Sequence, residues 1–267
     1  MFGRTIAAIV GSGFLALLAS NTIATVRAEI QAGALEYRQG DTVLEGWLVR
    51  DTEGPAKKPG VVIAHQWKGL TDYEKKRAEM LAKLGYVVLC ADIYGKGVRA
   101  ATPQEAGALA GKYKGDRPLL RARMQAALAA LREQSSVDTA KVGAMGYCFG
   151  GTAVLELARS GADIAGIVSF HGGLGSPTPE DARKIRCRVL ALHGGDDPHV
   201  PAAEVQAFED EMRKAGVDWQ LLAYGGAVHS FTDWNAGSDN SKGAAYNEKA
   251  DKRSWEAMKG FFGELLH

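Results

Sequence analysis

Short apolar segments alternate with helix-forming segments along this chain, and that alternation most narrows the folds open to it. The apolar segments are residues 60–65, 86–91, 141–147, 164–170, 188–193 and 219–224. Runs of this length and composition are typical of strands that are covered on both faces of a sheet. Because strands joined through helices pair in parallel, the sequence predicts an α/β fold with a mostly parallel central sheet and helices on both faces.

The segments between these strands carry the signals that begin and end helices. Thr71 and Glu74 have the spacing of a capping box, and Pro103 stands in the first turn of the next predicted helix. Asp116 is the expected N-cap of a longer helix that continues to Gln134. Further helices are predicted over residues 149–159, 201–215 and 247–266.

Two strands near the amino terminus are joined without a helix. Residues 34–37 and 43–49 flank Gly40 and Asp41, which predicts an antiparallel hairpin. No internal repeat, low-complexity tract or linker divides residues 29–267, so we expect them to form a single domain.

Residues 1–28 have the layout of a secretory signal peptide. Arg4 precedes an apolar stretch over 6–19, and the small side chains of Val26 and Ala28 suit a cleavage site. The apolar stretch is short for a bilayer core of about 30 Å. We expect an exported protein, periplasmic or secreted, that has no membrane association after cleavage near Ala28. Cleavage after Ala24 and an uncleaved membrane anchor are open alternatives.

The composition limits the kinds of partner and cofactor. The 267 residues include 32 Lys and Arg and 31 Asp and Glu, a formal charge of +1, so no basic excess indicates a nucleic-acid partner. The sequence has neither a G-x-G-x-x-G after a strand nor a Walker A sequence, and no histidine pair has the spacing of a zinc site. We predict no cofactor, no metal and a monomer whose partner is a small molecule.

The sequence GYCFG, residues 146–150, lies where a predicted strand meets a predicted helix. It is the G-x-S-x-G pattern of a nucleophile elbow with Cys148 in place of serine. In such a turn the glycines allow close approach of neighbouring backbone, and the helix amino terminus favours a thiolate. A buried core cysteine beside chance glycines is the alternative interpretation.

Two further residues have the type and the order that such a nucleophile needs. Asp196 and Asp197 follow the strand at 188–193, and His229 follows the last predicted strand. Because these strands are expected to be parallel, their ends lie at the same edge of the sheet as Cys148. We predict a catalytic triad of Cys148, Asp197 and His229, with Asp196 as the alternative acid.

The three motifs of the predicted triad are GYCFG, GGDDPHVP with the acid, and HSF with the histidine. Together with the segments GDTVLEGWLV, GVVIAHQWKGL and GYVVLCADIYGKG, they resemble sequences of the dienelactone hydrolase family. The similarity covers most of residues 34–265. It implies an α/β-hydrolase fold and a cysteine nucleophile that hydrolyses an ester or a lactone through a thioester. By the resemblance, Cys148 attacks, His229 is the base and Asp197 orients it.

The mechanism also requires amides for the oxyanion and residues around the substrate. We expect the amides of Trp67 and Phe149 to form the oxyanion hole, and Gln66, His171 and Ser230 to border the pocket. These are predictions from position in the sequence alone.

Two positions depart from the family's pattern. The family usually carries glutamate where Gln66 stands, so activation of the thiol is expected to rest on His229. A few residues after the histidine, where the founding enzymes use an arginine to hold a substrate carboxylate, this chain has Asp233. We therefore expect a neutral ester or lactone, because Asp233 would repel a carboxylate.

Two other classes of function remain open from the sequence. A thiol acyltransferase or peptidase would use the same three residues, and a non-catalytic binding protein would use the same scaffold.

Overall fold

The computed structural model describes residues 1–3 and 29–267, and its described residues form a single eight-stranded sheet. The predicted signal peptide, residues 1–28, therefore lies outside the described residues apart from its first three. The strands are β1 (Ile30–Gln39), β2 (Thr42–Asp51), β3 (Lys58–Ala64), β4 (Val87–Ala91), β5 (Val137–Tyr147), β6 (Gly166–Phe170), β7 (Arg188–Gly194) and β8 (Trp219–Tyr224).

The strand order across the sheet is β1-β2-β4-β3-β5-β6-β7-β8. β1 and β2 form the predicted antiparallel hairpin, and β2 is also antiparallel to β4. The other neighbouring strands are parallel. The predicted α/β fold, with its mostly parallel sheet and amino-terminal hairpin, is confirmed.

Helices cover both faces of the sheet. They are α1 (Asp72–Ala82), α2 (Pro103–Gly115), α3 (Arg117–Arg132), α4 (Phe149–Arg159), α5 (Ala202–Ala215) and α6 (Glu248–Leu266). The buried side chains of α1 and α6 pack in one apolar core, and those of α2, α3, α4 and α5 pack in another on the opposite face. Among the described residues, no helix has both the length and the apolar composition that a membrane span requires.

The helix ends follow the predicted capping chemistry closely. Thr71 and Glu74 make both hydrogen bonds of the capping box, and the Asp116 side chain accepts from the amide of Leu119 at the start of α3. The strands deviate more from the predictions. β5 begins at Val137, four positions before the predicted 141, because Val137 pairs with Lys58 beyond a register shift in β3.

The parallel register brings the ends of the central strands level with one another. Ala64 of β3 pairs with Gly146 of β5, and Phe170 of β6 pairs with Tyr147 of β5 on one side and Leu192 of β7 on the other. The loops that leave these strands therefore meet at one edge of the sheet, which is where the candidate functional residues lie.

A buried ion pair joins α4 to α5. Arg159 is fully buried, and its Nε and Nη2 donate to the two carboxylate oxygens of Glu211 at 2.8 Å and 2.7 Å. Glu156 accepts from the same guanidinium at 3.1 Å. Removing one partner of such a pair leaves a buried charge without full compensation, which is costly.

We predict that Glu211→Ala lowers the free energy of unfolding by about 3 kcal/mol. Asp210→Ala is the matched control, because Asp210 is adjacent on α5 and pairs with Arg213 at 2.7 Å in an exposed position. The control should change the free energy by less than about 1 kcal/mol. Urea unfolding measures both, and equal losses in the two variants would contradict the assignment.

Candidate active site

Cys148 occupies a strained turn between β5 and α4. Its φ is 55°, a left-handed conformation that residues other than glycine rarely adopt. A Cβ at Gly146 would lie 2.1 Å from the Gly150 carbonyl oxygen, and a Cβ at Gly150 would lie 2.1 Å from the Ala64 carbonyl oxygen. Both positions therefore require glycine, and the backbone packed around the turn maintains the strain at Cys148.

Three predicted residues are in contact at the edge of the sheet. His229 Nε2 lies 3.1 Å from Cys148 Sγ, and His229 Nδ1 lies 2.8 Å from Asp197 Oδ2. Asp197 Oδ1 accepts from the His199 amide at 2.8 Å. Asp197 is buried while Asp196 is exposed, so of the two aspartates in this loop the structure places Asp197 against the imidazole.

The electrostatics of the pair favour a thiolate beside an imidazolium. Burial raises the pKa of Cys148, but the charge and hydrogen bond of His229 outweigh it and hold this pKa below the ordinary thiol value. Burial alone would lower the pKa of His229, whereas Cys148 Sγ and Asp197 raise it to about 10. Burial opposes ionisation of Asp197, and its hydrogen bond with His229 keeps its pKa below the usual range.

The loop that carries His229 is fixed by backbone hydrogen bonds. The His229 amide donates to Gly243 O at 3.2 Å, and the Ala245 amide donates to His229 O at 3.0 Å. Residues 243–245 thus form a short bridge alongside the histidine. This contact between distant segments was not apparent in the sequence.

A cavity of about 510 Å³ lies over Cys148. The described residues that line it are Trp67, Gly107, Ala110, Gly111, Lys114, Cys148, Phe149, Gly173, His199, Val200, His229, Ser230 and Ala244. Lys114 is the charged lining residue apart from the histidines, and this set of described residues includes no aspartate or glutamate.

The contribution of α2 to this cavity was not predicted from the sequence. Gly107, Ala110, Gly111 and Lys114 are spaced three, four and seven positions apart, so they share one face of the helix. A stripe of small residues on a helix between two predicted strands was the available signal. It leaves room for a ligand above the sheet edge.

The predicted oxyanion and pocket residues divide into two groups. Trp67, Phe149 and Ser230 line the cavity. Gln66 and His171 are buried behind it rather than in its wall, which differs from our expectation. Their side chains instead make hydrogen bonds within the protein.

Gln66 and His171 support the loops around the site. Gln66 Nε2 donates to Asp233 Oδ2 at 3.1 Å. His171 Nδ1 accepts from the Cys148 amide at 3.1 Å, and His171 Nε2 lies 2.8 Å from Thr232 Oγ1. Burial holds the pKa of His171 well below its ordinary value, so the ring is neutral.

The position of Asp233 also corrects an expectation. Its carboxylate accepts from the Gln66 side chain and from the Asn235 amide at 2.9 Å, and it is not among the described residues that line the cavity. It therefore does not border a ligand in this cavity, and the lining gives no support to repulsion of a substrate carboxylate through direct contact with Asp233.

Among residues 1–3 and 29–267, no group of three or more His, Cys, Asp or Glu side chains is arranged to hold a metal ion.

The strand order and the edge location of these residues define an α/β hydrolase. Residues 44–266 match the model of the dienelactone hydrolase family, and the chain belongs to this family. The expected α/β-hydrolase fold and the expected membership of the dienelactone hydrolase family are thereby confirmed.

Three similar proteins illustrate the range of this likeness. The crystal structure of a dienelactone hydrolase-like promiscuous phosphotriesterase from metagenomic libraries is 44% identical, with a TM-score of 0.86, and the match covers 90% of this chain and 100% of that one. An uncharacterized protein of Caenorhabditis elegans is 38% identical over 55% of this chain and 94% of its own length. A dienelactone hydrolase from Anabaena variabilis is 22% identical with a TM-score of 0.66, covers 89% and 99% of the two chains, and shows a shared fold.

We predict that iodoacetamide alkylates Cys148 with a pH profile whose midpoint lies below the pH at which an ordinary thiol ionises. The thiolate of Cys148 persists to a lower pH than an ordinary thiolate, because the His229 imidazolium stabilises its negative charge. Asp197→Asn should move the profile to higher pH, since it removes the charge that supports this imidazolium.

Asp196→Asn is the matched control and should leave the alkylation profile unchanged, because Asp196 is exposed beside the site. Cys90 and Cys187 are buried, and burial raises the pKa of both thiols, so they do not compete for the reagent. Equal shifts in the two aspartate variants would count against the role of Asp197.

Proposed function

We propose that this member of the dienelactone hydrolase family hydrolyses a small ester or lactone through Cys148, His229 and Asp197 with a thioester intermediate. The observation that carries the proposal is the continuous contact from Asp197 through the imidazole to Sγ, beside a cavity of about 510 Å³. This is the order of groups that an activated nucleophile requires.

In the first half of the reaction the Cys148 thiolate attacks the carbonyl carbon. A carbon–sulfur bond forms, and the carbonyl electron pair moves onto oxygen. When the tetrahedral intermediate collapses, the carbon–oxygen bond to the leaving group breaks. The leaving oxygen takes the proton from His229 Nε2, which leaves a thioester and a neutral imidazole.

In the second half of the reaction a water molecule cleaves the thioester. Neutral His229 removes a proton from the water as its oxygen attacks the carbonyl carbon. Collapse breaks the carbon–sulfur bond, releases the carboxylic acid and restores the thiolate–imidazolium pair. Asp197 holds Nδ1–H of the imidazole throughout, at 2.8 Å, and so fixes the tautomer and stabilises the charged form.

We assign the oxyanion hole to the amides of Trp67 and Phe149. Both residues line the cavity beside Cys148, and the Phe149 amide helps to lower the pKa of the thiol. That amide belongs to the first turn of α4, where the helix dipole also favours negative charge. Donors held in place before the reaction are the most effective form of such stabilisation.

The substrate that we propose is neutral or carries a negative charge away from the reacting carbonyl. Lys114 reaches the cavity, and its charge also helps to lower the pKa of Cys148. A positively charged ester would be repelled by Lys114, and the described lining offers no carboxylate to balance it.

A thiol acyltransferase or peptidase with the same three residues is the alternative that mechanism alone leaves open. An added amine tests it, because an acyltransferase would divert the acyl group to the amine and a hydrolase would yield mainly the acid. A non-catalytic binding protein is less compatible with the geometry, since it has no need of a histidine 3.1 Å from the sulfur.

A second candidate activity is the cleavage of neutral aryl phosphate triesters. The likeness to the promiscuous phosphotriesterase, at 44% identity over 90% of this chain, favours it. Release of the aryl alcohol from such a triester, lost in Cys148→Ala, would support it, and release at the uncatalysed rate would exclude it.

We also propose that residues 1–28 direct export and that the mature protein is a periplasmic or secreted monomer. The sequence pattern of the segment supports export. Amino-terminal sequencing of the protein recovered outside the cytoplasm tests the cleavage site, and a retained segment would argue for the anchor. Sedimentation of the mature protein tests the monomer.

We predict that Cys148→Ala reduces hydrolysis of every accepted aryl ester to the uncatalysed rate, because no other group provides the nucleophile. Cys148→Ser should retain only a small residual activity, since a serine hydroxyl is not ionised by His229 at neutral pH. The measurement is kcat/KM on a panel of aryl esters and lactones. Substantial turnover by the alanine variant would overturn the proposed function.

We predict that Lys114→Glu lowers kcat/KM for an ester that bears a carboxylate by about tenfold relative to a neutral ester. Lys112→Glu is the matched control, because Lys112 is exposed on the same helix and is not among the described residues lining the cavity. The preference should weaken at high salt, and an unchanged ratio in Lys114→Glu would remove the residue from substrate selection.

A further inference from the structure

We infer that His65 fixes the direction of the Trp67 amide and so aligns one donor of the oxyanion hole. The inference rests on the hydrolase mechanism proposed above and adds a positioning residue to it. His65 directly follows β3 and is fully buried. Its ring packs beside Phe149, with the ring centroids 5.9 Å apart, but His65 is not among the described residues that line the cavity. Its ring hydrogen bonds go to Gln66 and Ile93, and none goes to Cys148, Asp197 or His229.

Both ring nitrogens of His65 are held by backbone groups. The Ile93 amide donates to Nε2 at 3.2 Å, and Nδ1 lies 2.6 Å from the Gln66 carbonyl oxygen. Because an amide can only donate and a carbonyl can only accept, the ring carries its proton on Nδ1. Burial lowers the pKa of His65 to about 4, so this neutral tautomer persists across the pH range of an ordinary assay.

The Gln66 carbonyl and the Trp67 amide belong to one peptide group. The described residues contain no cis peptide bond, so in this group the N–H points away from the C=O. His65 draws the carbonyl towards the buried imidazole, and the Gly69 amide also donates to it at 3.2 Å. The Trp67 N–H is therefore directed away from the core.

The same segment packs directly against the nucleophile turn. A Cβ at Gly150 would lie 2.1 Å from Ala64 O and 2.8 Å from His65 O. Residues 64–65 thus contact the first turn of α4, next to Phe149. Trp67 and Phe149 both line the cavity. From the direction of the peptide group we infer that the Trp67 amide lies on the cavity side of the loop, with the Phe149 amide as the second donor.

The hydrogen bond from His65 also affects the strength of the Trp67 donor. A carbonyl that accepts a short hydrogen bond polarises its peptide group, and the N–H of that group becomes a better donor. Tyr94 supports the next peptide, since its hydroxyl donates to the Trp67 carbonyl at 2.9 Å. His65 therefore acts on the transition state through the backbone and touches no reacting atom.

Three substitutions of His65 separate this role from simple packing. In His65→Asn the side-chain amide places an N–H donor near the position of Nδ1. In His65→Gln the polar group reaches the position of Nε2 instead, and in His65→Leu neither polar contact remains. The readouts are kcat and KM for an aryl ester, and the rate of Cys148 alkylation by iodoacetamide, which needs no oxyanion hole.

We expect His65→Asn to retain kcat within about tenfold of the wild type, and His65→Gln and His65→Leu to lose roughly 100-fold in kcat with little change in KM. The alkylation rate and its pH profile should stay the same in all three variants. Equal kcat in the asparagine and glutamine variants, or alkylation that falls in parallel with kcat, would overturn the inference.

A measurement on the unaltered protein covers the case in which a variant does not fold. The ¹⁵N chemical shifts of His65 should identify a neutral ring protonated on Nδ1 between pH 5 and 8, and a ring protonated on Nε2 would refute the assignment. The outcome is distinct from failure of the proposed function, because turnover by Cys148→Ala would refute the nucleophile whatever the state of His65.

Discussion

The structure depends above all on the close packing of backbone around the left-handed turn at Cys148. A residue with φ of 55° is stable there because Gly146 and Gly150 let β5, the first turn of α4 and the end of β3 approach without intervening Cβ atoms. That contact has two consequences. It projects Sγ from the sheet edge, and it sets the loop containing Trp67 beside the amino terminus of α4.

Burial at this edge disfavours the charged form of Cys148, Asp197 and His229. The contacts of His229 with the other two residues offset this effect, because they pair opposite charges with one another. Two other histidines, His171 and His65, are also buried, and their neutral rings serve backbone amides and carbonyls. The same residue type thus supplies the imidazole that contacts Cys148 and the supports that hold the loops around it.

The sequence predicted the fold from local signals and the meeting of Cys148, Asp197 and His229 from their order along parallel strands. It missed the side-chain contacts that strand order does not specify. The glycines around Cys148 and the capping box at Thr71 involve neighbours in the chain. Gln66 and His171 form hydrogen bonds with partners more than 20 positions away in the sequence. The position of Asp233 outside the cavity depends on one of these contacts, its hydrogen bond with Gln66. Lys114 enters the cavity through the placement of α2 above the sheet edge, which the stripe of small residues on this helix does not by itself specify.

The most direct test of the account is the intact mass of the protein quenched in acid during turnover of a slowly hydrolysed ester. The account predicts a population heavier by one acyl group, with the added mass on the peptide that contains Cys148 and with removal of that mass by hydroxylamine. Product formation with no adduct at any time during a single turnover, or an adduct on a different residue, would contradict a reaction that proceeds through a thioester at Cys148.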